Sequence, residues 1–369
     1  MKVISLFAGA GGLDLGFMLA GHKIIWVNDF DKDALDTYVR NLNKIEQHEI
    51  VLGDITKLLN IETEKINIFI PDGDIVIGGF PCQGFSVANI NRSILDTRNR
   101  LYLEILKVIE AKNPKYILLE NVKGLENMEK GKVLQMILKD LETSGKGYSI
   151  SYNVFNACDY GVPQNRERVI IVGVRKDIKN NIFEEKAEKK CLKDYKTLVI
   201  KPTHFKNGAI NPKYNSVQIS NLLYNYLKEQ NYVKIDELMN SNKNYKYITV
   251  RDAIQDLPLE YIPDNKNILN HNGTKCKVKI NGRVGNRTTE WDKISPTIMG
   301  RGSGTGGPLI IPHPNLHRRM SVREVARIQS FPDEYFFMGS NSAKYRQIGN
   351  AVPPIFAYHI GKIFKKTHK

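Results

Sequence analysis

The sequence contains few cysteines, and their spacing excludes two kinds of structural site. Its 369 residues include four cysteines, and no two of them form a C-x-x-C pair. Zinc ribbons and disulfide-bonded secreted domains need paired or clustered cysteines, so we expect neither a metal site nor a disulfide framework. Unpaired thiols fit a reducing compartment, and we therefore expect a cytoplasmic protein that binds no metal.

Long hydrophobic stretches are missing as well. No apolar run approaches the roughly 20 residues of a membrane-spanning helix, and no signal-peptide pattern precedes the first predicted strand, so we expect no membrane partner. Acidic residues are in deficit, with 39 Asp and Glu against 54 Lys and Arg, which gives a formal net charge of +15. A basic balance of this size favours a polyanionic partner such as nucleic acid.

Strand-like apolar runs alternate with amphipathic helical segments over the first 175 or so residues. Strands are predicted at 2–6, 24–27, 75–77, 116–119 and 169–174. This alternation predicts an α/β fold with a doubly wound, mixed but mostly parallel sheet of Rossmann-like type. Because short, broken runs rich in Lys, Asn and Tyr follow, we also expect a second, smaller domain. The predicted division is 1–178 plus 342–369 for the larger domain, and 179–341 for the smaller domain with its hinge.

A glycine-rich loop follows the first predicted strand and precedes a helix. It begins at Phe7 and contains Gly11 and Gly12. Glycines in such a loop let the backbone approach a nucleotide-like ligand closely. Asp29 ends the second strand, where a carboxylate commonly binds a ribose diol. The loop has no P-loop lysine, and Asp14 replaces the third glycine of a dinucleotide fingerprint, so a nucleoside or dinucleotide fits better than a triphosphate.

One cysteine differs from the other three by its position. Cys82 follows the predicted strand 75–77 and lies among glycine, proline and polar residues that favour a turn. Glu120 follows the predicted strand 116–119 in the same way. Because the carboxyl ends of parallel strands share one edge of a sheet, we expect a thiol nucleophile and a carboxylic acid side by side. The pair suits attack on an electron-poor ring; the alternative is an inert, buried cysteine.

Six short motifs occur in a fixed order along nearly the whole chain. They are the glycine-rich loop 7–17, Pro81-Cys82-Gln83, Glu120-Asn121-Val122, the Q-x-R-x-R motif 164–168, the R-E-x-A-R-x-Q-x-F-P motif 323–332, and the motif 349–354. In these motifs the chain resembles the DNA (cytosine-5) methyltransferases of bacterial and archaeal restriction-modification systems. A small departure is Asn89, which stands where many relatives carry glycine.

The resemblance implies S-adenosyl-L-methionine as cofactor and S-adenosyl-L-homocysteine as product. It implies that Phe7 and Phe30 cover the adenine, that Asp29 binds the ribose, and that Asp54 and Ile55 contact the adenine edge. The cofactor residues implied in this way are Phe7, Ala10, Gly11, Gly12, Asp29, Phe30, Asp54, Ile55, Gly79, Pro81, Leu101, Asn350 and Val352. For Phe30, Ile55 and Leu101, ordinary core packing stays open as an alternative.

The resemblance also implies the catalytic roles. Cys82 would attack C6 of a cytosine flipped out of the duplex, after which C5 takes the methyl group. Glu120 would donate a proton towards N3 of the base. Arg168 would contact the base and orient Glu120, and Arg166 would lie beside the thiol. For both arginines, phosphate binding or capping of the sheet stays open as an alternative.

Double-stranded DNA is the partner that the resemblance implies, with the smaller domain as the target-recognition domain. Candidate DNA contacts are Ser86, Asn89, Arg92, Arg98, Arg301 and Arg323, with Arg318 and Arg319 near the same helix start as Arg323. We expect a monomer, and a cognate restriction endonuclease that acts independently. Two alternatives stay open: a cytosine-5 methyltransferase acting on transfer RNA, and a catalytically silent DNA-binding homologue.

Overall fold

A computed structural model describes residues 1–80, 100–179, 195–229, 243–262, 268–273, 288–300 and 311–365. Its strands are β1 (Lys2–Leu6), β2 (Lys23–Asp29), β3 (Glu49–Leu52), β4 (Ile75–Gly79), β5 (Tyr116–Val122), β6 (Tyr148–Asn156), β7 (Glu167–Arg175), β8 (Lys196–Thr197), β9 (His204–Phe205), β10 (Tyr245–Lys246), β11 (Pro312–His313) and β12 (Leu316–Arg319). Its α-helices are α1 (Gly12–Leu19), α2 (Lys32–Tyr38), α3 (Ile55–Leu58), α4 (Thr63–Phe69), α5 (Arg100–Lys112), α6 (Lys132–Thr143), α7 (Ser216–Lys228), α8 (Val250–Ile254), α9 (Val322–Ile328), α10 (Asn341–Asn350) and α11 (Pro354–Lys365). A π-helical turn (Val39–Asn43) and two 3-10 segments (Lys123–Gly131 and Ala157–Tyr160) complete these elements.

The main sheet has eight strands in the order β3-β2-β1-β4-β5-β7-β6-β8. Neighbouring strands are parallel from β3 through β5, and β6 is parallel to β8. Strand β7 runs antiparallel to both β5 and β6. The prediction of a mixed, mostly parallel sheet is therefore confirmed. Because β1 lies between β2 and β4, the strand order reverses at β1, and ligands bind at the carboxyl ends of strands around such a switch point.

Successive side chains of the central strands pack into two hydrophobic cores, one on each face of the sheet. Val3 and Ile75 belong to one core, which includes residues of α1 and α11, and Ile4 and Val76 belong to the other, which includes residues of α5 and α6. These four side chains are fully buried, and burial of each contributes about 1.5–3 kcal/mol. A continuous run of apolar residues is what a strand covered on both faces requires, so the doubly wound architecture follows from the sequence.

Glycine at position 16 brings α1 and α11 into direct backbone contact. A Cβ built on Gly16 would lie 2.3 Å from the Cβ of Ala357 and 2.6 Å from the carbonyl oxygen of Pro354. Two helices can approach this closely only where one of them has no side chain. The contact fixes α11 against the helix that follows the glycine-rich loop.

Part of the segment expected to form the smaller domain packs on the larger one. Strand β8 extends the main sheet beside β6, and α7 contacts α1 and α11. The Tyr224 hydroxyl donates to the Asn41 carbonyl at 3.0 Å. Parts of 195–229 thus lie against the main sheet and its helices, and the predicted boundary after residue 178 stays a prediction.

None of the helices in the described ranges is long and apolar enough to cross a membrane.

Candidate active site

A cavity of about 530 Å³ opens at the carboxyl ends of β1, β2 and β4, at the switch point of the sheet. Its walls are the glycine-rich loop, the ends of β2 and β3, and the carboxyl end of α10. The cofactor residues predicted from the sequence that line it are Phe7, Ala10, Gly12, Asp29, Phe30, Asp54, Ile55, Gly79, Leu101, Asn350 and Val352. A volume of this size is typical of sites for small organic ligands.

The glycine-rich loop is fixed by a carboxylate at the end of β2. Asp29 accepts hydrogen bonds from the backbone amides of Gly9 at 2.7 Å and Asp31 at 2.8 Å. Burial raises the pKa of Asp29, and these amide donors oppose part of that rise. Phe7 and Gly9 both have a φ of 56°, a left-handed conformation that is uncommon for phenylalanine. Strained backbone of this kind persists where surrounding contacts hold it, which is typical of ligand sites.

An exposed aromatic ring stands at the cavity. Phe30 lines the cavity and has a relative exposure of 74%. Exposure of so large an apolar side chain beside a cavity provides a face on which a flat ring can stack. By contrast, Ile55 is 2% exposed, so part of its side chain packs in the core, which agrees with the alternative of ordinary core packing.

The absence of a side chain at two loop positions has a packing reason. A Cβ on Gly12 would lie 2.3 Å from the Val352 carbonyl oxygen, so the two walls of the cavity meet backbone to backbone. Gly11 has a φ of 80°, and a Cβ there would lie 2.6 Å from Leu42 and 2.9 Å from Tyr38. A side chain at position 11 would therefore enter the core behind the cavity wall, and contact of the Gly11 backbone with the cofactor stays a prediction.

Glu120 and Arg168 form an ion pair at the rim of this cavity. Arg168 on β7 lies opposite Val122 on β5, so Glu120 is its diagonal neighbour on the same face. The Arg168 Nε and Glu120 Oε1 atoms are 2.8 Å apart, and each side chain is 11% exposed. The other carboxylate oxygen, Oε2, lies 3.0 Å from where a Cβ of Gly79 would stand. Glycine at position 79 thus leaves room beside the carboxyl group, which lies between the arginine and the cavity.

Arg166 lines the same cavity, but its polar contacts are structural. Its guanidinium donates to the carbonyls of Ile298 at 2.9 Å, Gly349 at 3.0 Å and Ala351 at 2.9 Å, and the residue is 1% exposed. Burial lowers the pKa of Arg166, and the nearby charge of Arg168 lowers it further. Arg166 therefore ties the start of β7 to two other segments of the cavity wall, which agrees with the alternative of a structural role.

A pair of buried glutamines, missed by the sequence reasoning, extends this structural network. Gln164 accepts a hydrogen bond from the Ile298 amide at 2.9 Å and donates to Gln329 at 2.7 Å. Gln329 in turn donates to the Ile348 carbonyl at 2.6 Å. Gln164 belongs to the Q-x-R-x-R motif and Gln329 to the R-E-x-A-R-x-Q-x-F-P motif, and these positions were the available signal.

Arg323, near the start of α9, was expected to meet DNA phosphate, and its burial contradicts this expectation. Arg323 is 0% exposed, and it donates to the carbonyls of Leu269, Pro332 and Tyr335. Burial lowers its pKa to about 10. Its neighbours Arg318 and Arg319 also have partners within the protein, and their contact with phosphate stays a prediction. Arg318 pairs with Glu324 at 2.8 Å, and the Arg319 guanidinium lies 3.3 Å from the centre of the Tyr345 ring.

Several predicted site residues lie outside the described part of the chain. They are Pro81, Cys82, Ser86, Asn89, Arg92, Arg98 and Arg301. Of the cysteines, Cys158 is described: it is buried, and burial raises the pKa of its thiol to about 12. A thiol held in its protonated form is a poor nucleophile, so Cys158 fits the inert role expected for it.

Comparison with known proteins gives consistent matches over the whole chain. The family described as C-5 cytosine-specific DNA methylase matches residues 1–366. The chain is 36% identical over 361 residues to the Type II methyltransferase M.NgoFVII of Neisseria gonorrhoeae, covering 96% of this chain and 83% of that protein. It is 32% identical over 390 residues to the Type II methyltransferase M.FnuDI of Fusobacterium nucleatum, covering 100% and 95%. The fold is similar to the crystal structure of S. pombe Dnmt2 methyltransferase, with a TM-score of 0.62 and 17% identity, covering 100% of this chain and 99% of that chain.

Proposed function

The chain belongs to the C-5 cytosine-specific DNA methylase family, and from this premise we propose that it methylates C5 of a cytosine in one short double-stranded DNA sequence. The observation that carries the proposal is the Glu120–Arg168 ion pair at the rim of a cavity of cofactor size. The proposed role in the cell is protection of host DNA from a cognate restriction endonuclease that acts independently.

S-adenosyl-L-methionine is the proposed cofactor, and the residues of the cavity fit it. The exposed ring of Phe30 offers a stacking face for adenine. Both oxygens of Asp29 accept backbone amides, and a carboxylate, with about four acceptor sites, keeps capacity for a ribose hydroxyl. The contact of Gly12 with Val352 leaves a backbone wall for the methionine part. When bound, the cofactor supplies an electrophilic methyl group.

The proposed chemistry assigns one step to each reactive side chain. The Cys82 thiolate forms a bond to C6 of the flipped base, and the electron pair of the C5–C6 double bond moves towards the ring carbonyl and N3. Glu120 gives a proton to N3, and Arg168 stabilises the carboxylate that remains. C5 becomes nucleophilic enough to take the methyl group. Water then removes the C5 proton, Cys82 leaves as a thiolate, and N3 returns its proton to the Glu120 carboxylate, which restores the neutral aromatic ring and the acid.

Base flipping is part of the proposal because the C6 atom is covered inside a duplex. Extrusion of a base costs a few kcal/mol, which contacts to the flipped base and the vacated space must offset. The net charge of +15 supports phosphate contacts along the duplex. The residues that read the sequence are expected in 179–341, where base-edge contacts would set specificity.

A trapping experiment tests the proposal. The purified chain is incubated with S-adenosyl-L-methionine and a duplex library that carries 5-fluorocytosine, since fluorine cannot leave C5 as a cation. We expect a DNA adduct on the tryptic peptide that contains Cys82, and none with Cys82→Ser. Labelled methyl transfer is measured in parallel on unmodified plasmid and on transfer RNA. Transfer to RNA alone, or an adduct at another residue, would contradict the proposal.

A further inference from the structure

The cofactor cavity is built from two distant parts of the chain, and an ion pair joins them at the surface. Asp31 follows β2 and Arg346 lies on α10, and both line the cavity. The Arg346 Nη2 and Nε atoms lie 2.8 and 3.2 Å from the same oxygen, Oδ2, of Asp31. The Arg346 side chain is 45% exposed and that of Asp31 is 21% exposed, so the pair borders solvent.

The carboxylate of Asp31 is held in place independently of the arginine. Its other oxygen, Oδ1, caps the amino end of α2 by accepting from the amides of Asp33 at 3.1 Å and Ala34 at 3.4 Å. Its own backbone amide donates to Asp29, the carboxylate that also fixes Gly9 of the glycine-rich loop. Arg346 thus connects α10 to the same network that shapes the floor of the cavity.

Beneath the ion pair, α2 and α10 have a second connection that does not depend on it. The Thr37 hydroxyl donates to Gln347 at 2.7 Å, and Gln347 donates to the Met338 carbonyl at 3.0 Å. Both Thr37 and Gln347 are buried. Because these buried contacts join the helices, loss of the outer ion pair should leave the fold intact.

Arg346 differs from the other cationic side chains of the cavity in its exposure to solvent. Of the cationic side chains that line the cavity in the described ranges, Arg166 is 1% exposed and Arg168 is 9% exposed, and both bond to protein groups inside. Arg346 is the one at the solvent border, and it can swing away from Asp31 without breaking a buried contact. Its ion pair with Asp31 is therefore a contact that must break before the two walls separate.

We propose that Arg346 and Asp31 are positioning residues, whose ion pair holds the two walls of the cofactor cavity together and slows release of the bound cofactor. The inference rests on the proposed use of S-adenosyl-L-methionine, and it concerns affinity and residence time and not the methylation chemistry. Exposed ion pairs contribute up to about 1 kcal/mol, so the expected change in cofactor dissociation is about two- to fivefold.

The test uses the full chain, with S-adenosyl-L-homocysteine as the probe. Cofactor affinity is measured by calorimetry, and the dissociation rate by stopped-flow displacement, for Arg346→Gln, Asp31→Asn and the double variant. Asparagine retains the capping oxygen of Asp31 while removing its charge. Arg346→Lys restores the charge with fewer donors. Lys32→Gln is the matched control, because it removes an exposed ion pair with Asp36 on the same helix, at 2.6 Å.

We expect both single variants to release the probe about two- to fivefold faster, at an unchanged melting temperature, with the double variant no faster than either. Arg346→Lys should fall between them and the wild type, and Lys32→Gln should match the wild type. High salt should bring the wild-type rate close to that of the variants. Folded variants with wild-type rates would overturn the inference alone, whereas a wild type that binds neither probe nor S-adenosyl-L-methionine would overturn the proposed function with it.

Discussion

Helices α1 and α11 meet backbone to backbone at Gly16, and one added methyl group should force them apart. In Gly16→Ala, the new Cβ would lie 2.3 Å from the Cβ of Ala357 and 2.6 Å from both the Pro354 oxygen and the Tyr358 nitrogen. Carbon atoms in contact are normally about 3.5–4.0 Å apart, so the helices must separate by more than about 1 Å. Two of these three neighbours are backbone atoms, which no rotamer change can move.

The expected cost is at the upper end of the range for overpacked cores, about 3 kcal/mol. For a chain of 369 residues, that cost lowers the melting temperature by about 4 °C. The shape of the cofactor cavity should change too, because α1 begins at Gly12 and the segment before α11 contains Val352. A shift of about 1 Å would open the 2.3 Å approach between the Gly12 Cβ position and the Val352 oxygen, and weaken cofactor binding.

Calorimetric melting and cofactor titration measure both effects. The matched control is Gly124→Ala, where the nearest atom to a new Cβ is a Val122 methyl carbon at 3.9 Å, an ordinary contact distance. The control should melt within about 1 °C of the wild type. If Gly16→Ala melted with the wild type and bound cofactor equally well, the packing argument for the glycine would be refuted.

Three further predictions concern single side chains. Asp14 is buried and hydrogen-bonded to Ser5 and Tyr38, and burial raises its pKa to about 6. Its ionisation therefore opposes folding, and the free energy of unfolding should fall as pH rises from about 4 to 6. This pH dependence of the free energy of unfolding, about 3 kcal/mol in total, should vanish in Asp14→Asn. Urea unfolding at several pH values measures it, and the same pH dependence in both proteins would contradict the prediction. Arg323→Gln should cost at least about 3 kcal/mol by leaving buried carbonyls unpaired, while the salt dependence of DNA binding by the folded protein stays unchanged; a slope reduced by about one would instead indicate a phosphate contact. Glu120→Gln should lower turnover by about 100-fold or more in steady-state assays with cofactor affinity preserved, and a variant of normal turnover would exclude Glu120 as the proton donor.

The sheet could be predicted from local patterns, whereas the Glu120–Arg168 pairing was implied by the family resemblance. Apolar runs that are covered on two faces can be recognised without knowing their partners, and the motif order brought Glu120 and Arg168 to the same rim. The chemical role of each arginine was harder to predict. Arg166 and Arg323 carry the same charge in sequence as a phosphate-binding arginine, yet both are buried and bonded to carbonyls. Only the fold decides which basic residues reach solvent.

Long-range polar pairs are the other feature that the sequence did not predict. Asp31 and Arg346 are 315 positions apart, and neither lies in a local pattern that marks a partner. Their contact depends on α10 returning to the start of α2, which is set by buried groups such as Thr37 and Gln347. The packing of α7 on α1 and α11 is a similar case, because nothing in the local sequence of α7 indicates which surface it covers.

Base-resolution mapping of 5-methylcytosine in plasmid DNA tests the central claim most directly. The plasmid is isolated from cells that express the wild-type chain, Cys82→Ser or Glu120→Gln, at matched levels of folded protein. The account predicts methylation of one cytosine in one short sequence by the wild type, none by Cys82→Ser, and little by Glu120→Gln. Unmethylated DNA from cells with folded wild-type protein, or equal methylation by Cys82→Ser, would contradict it.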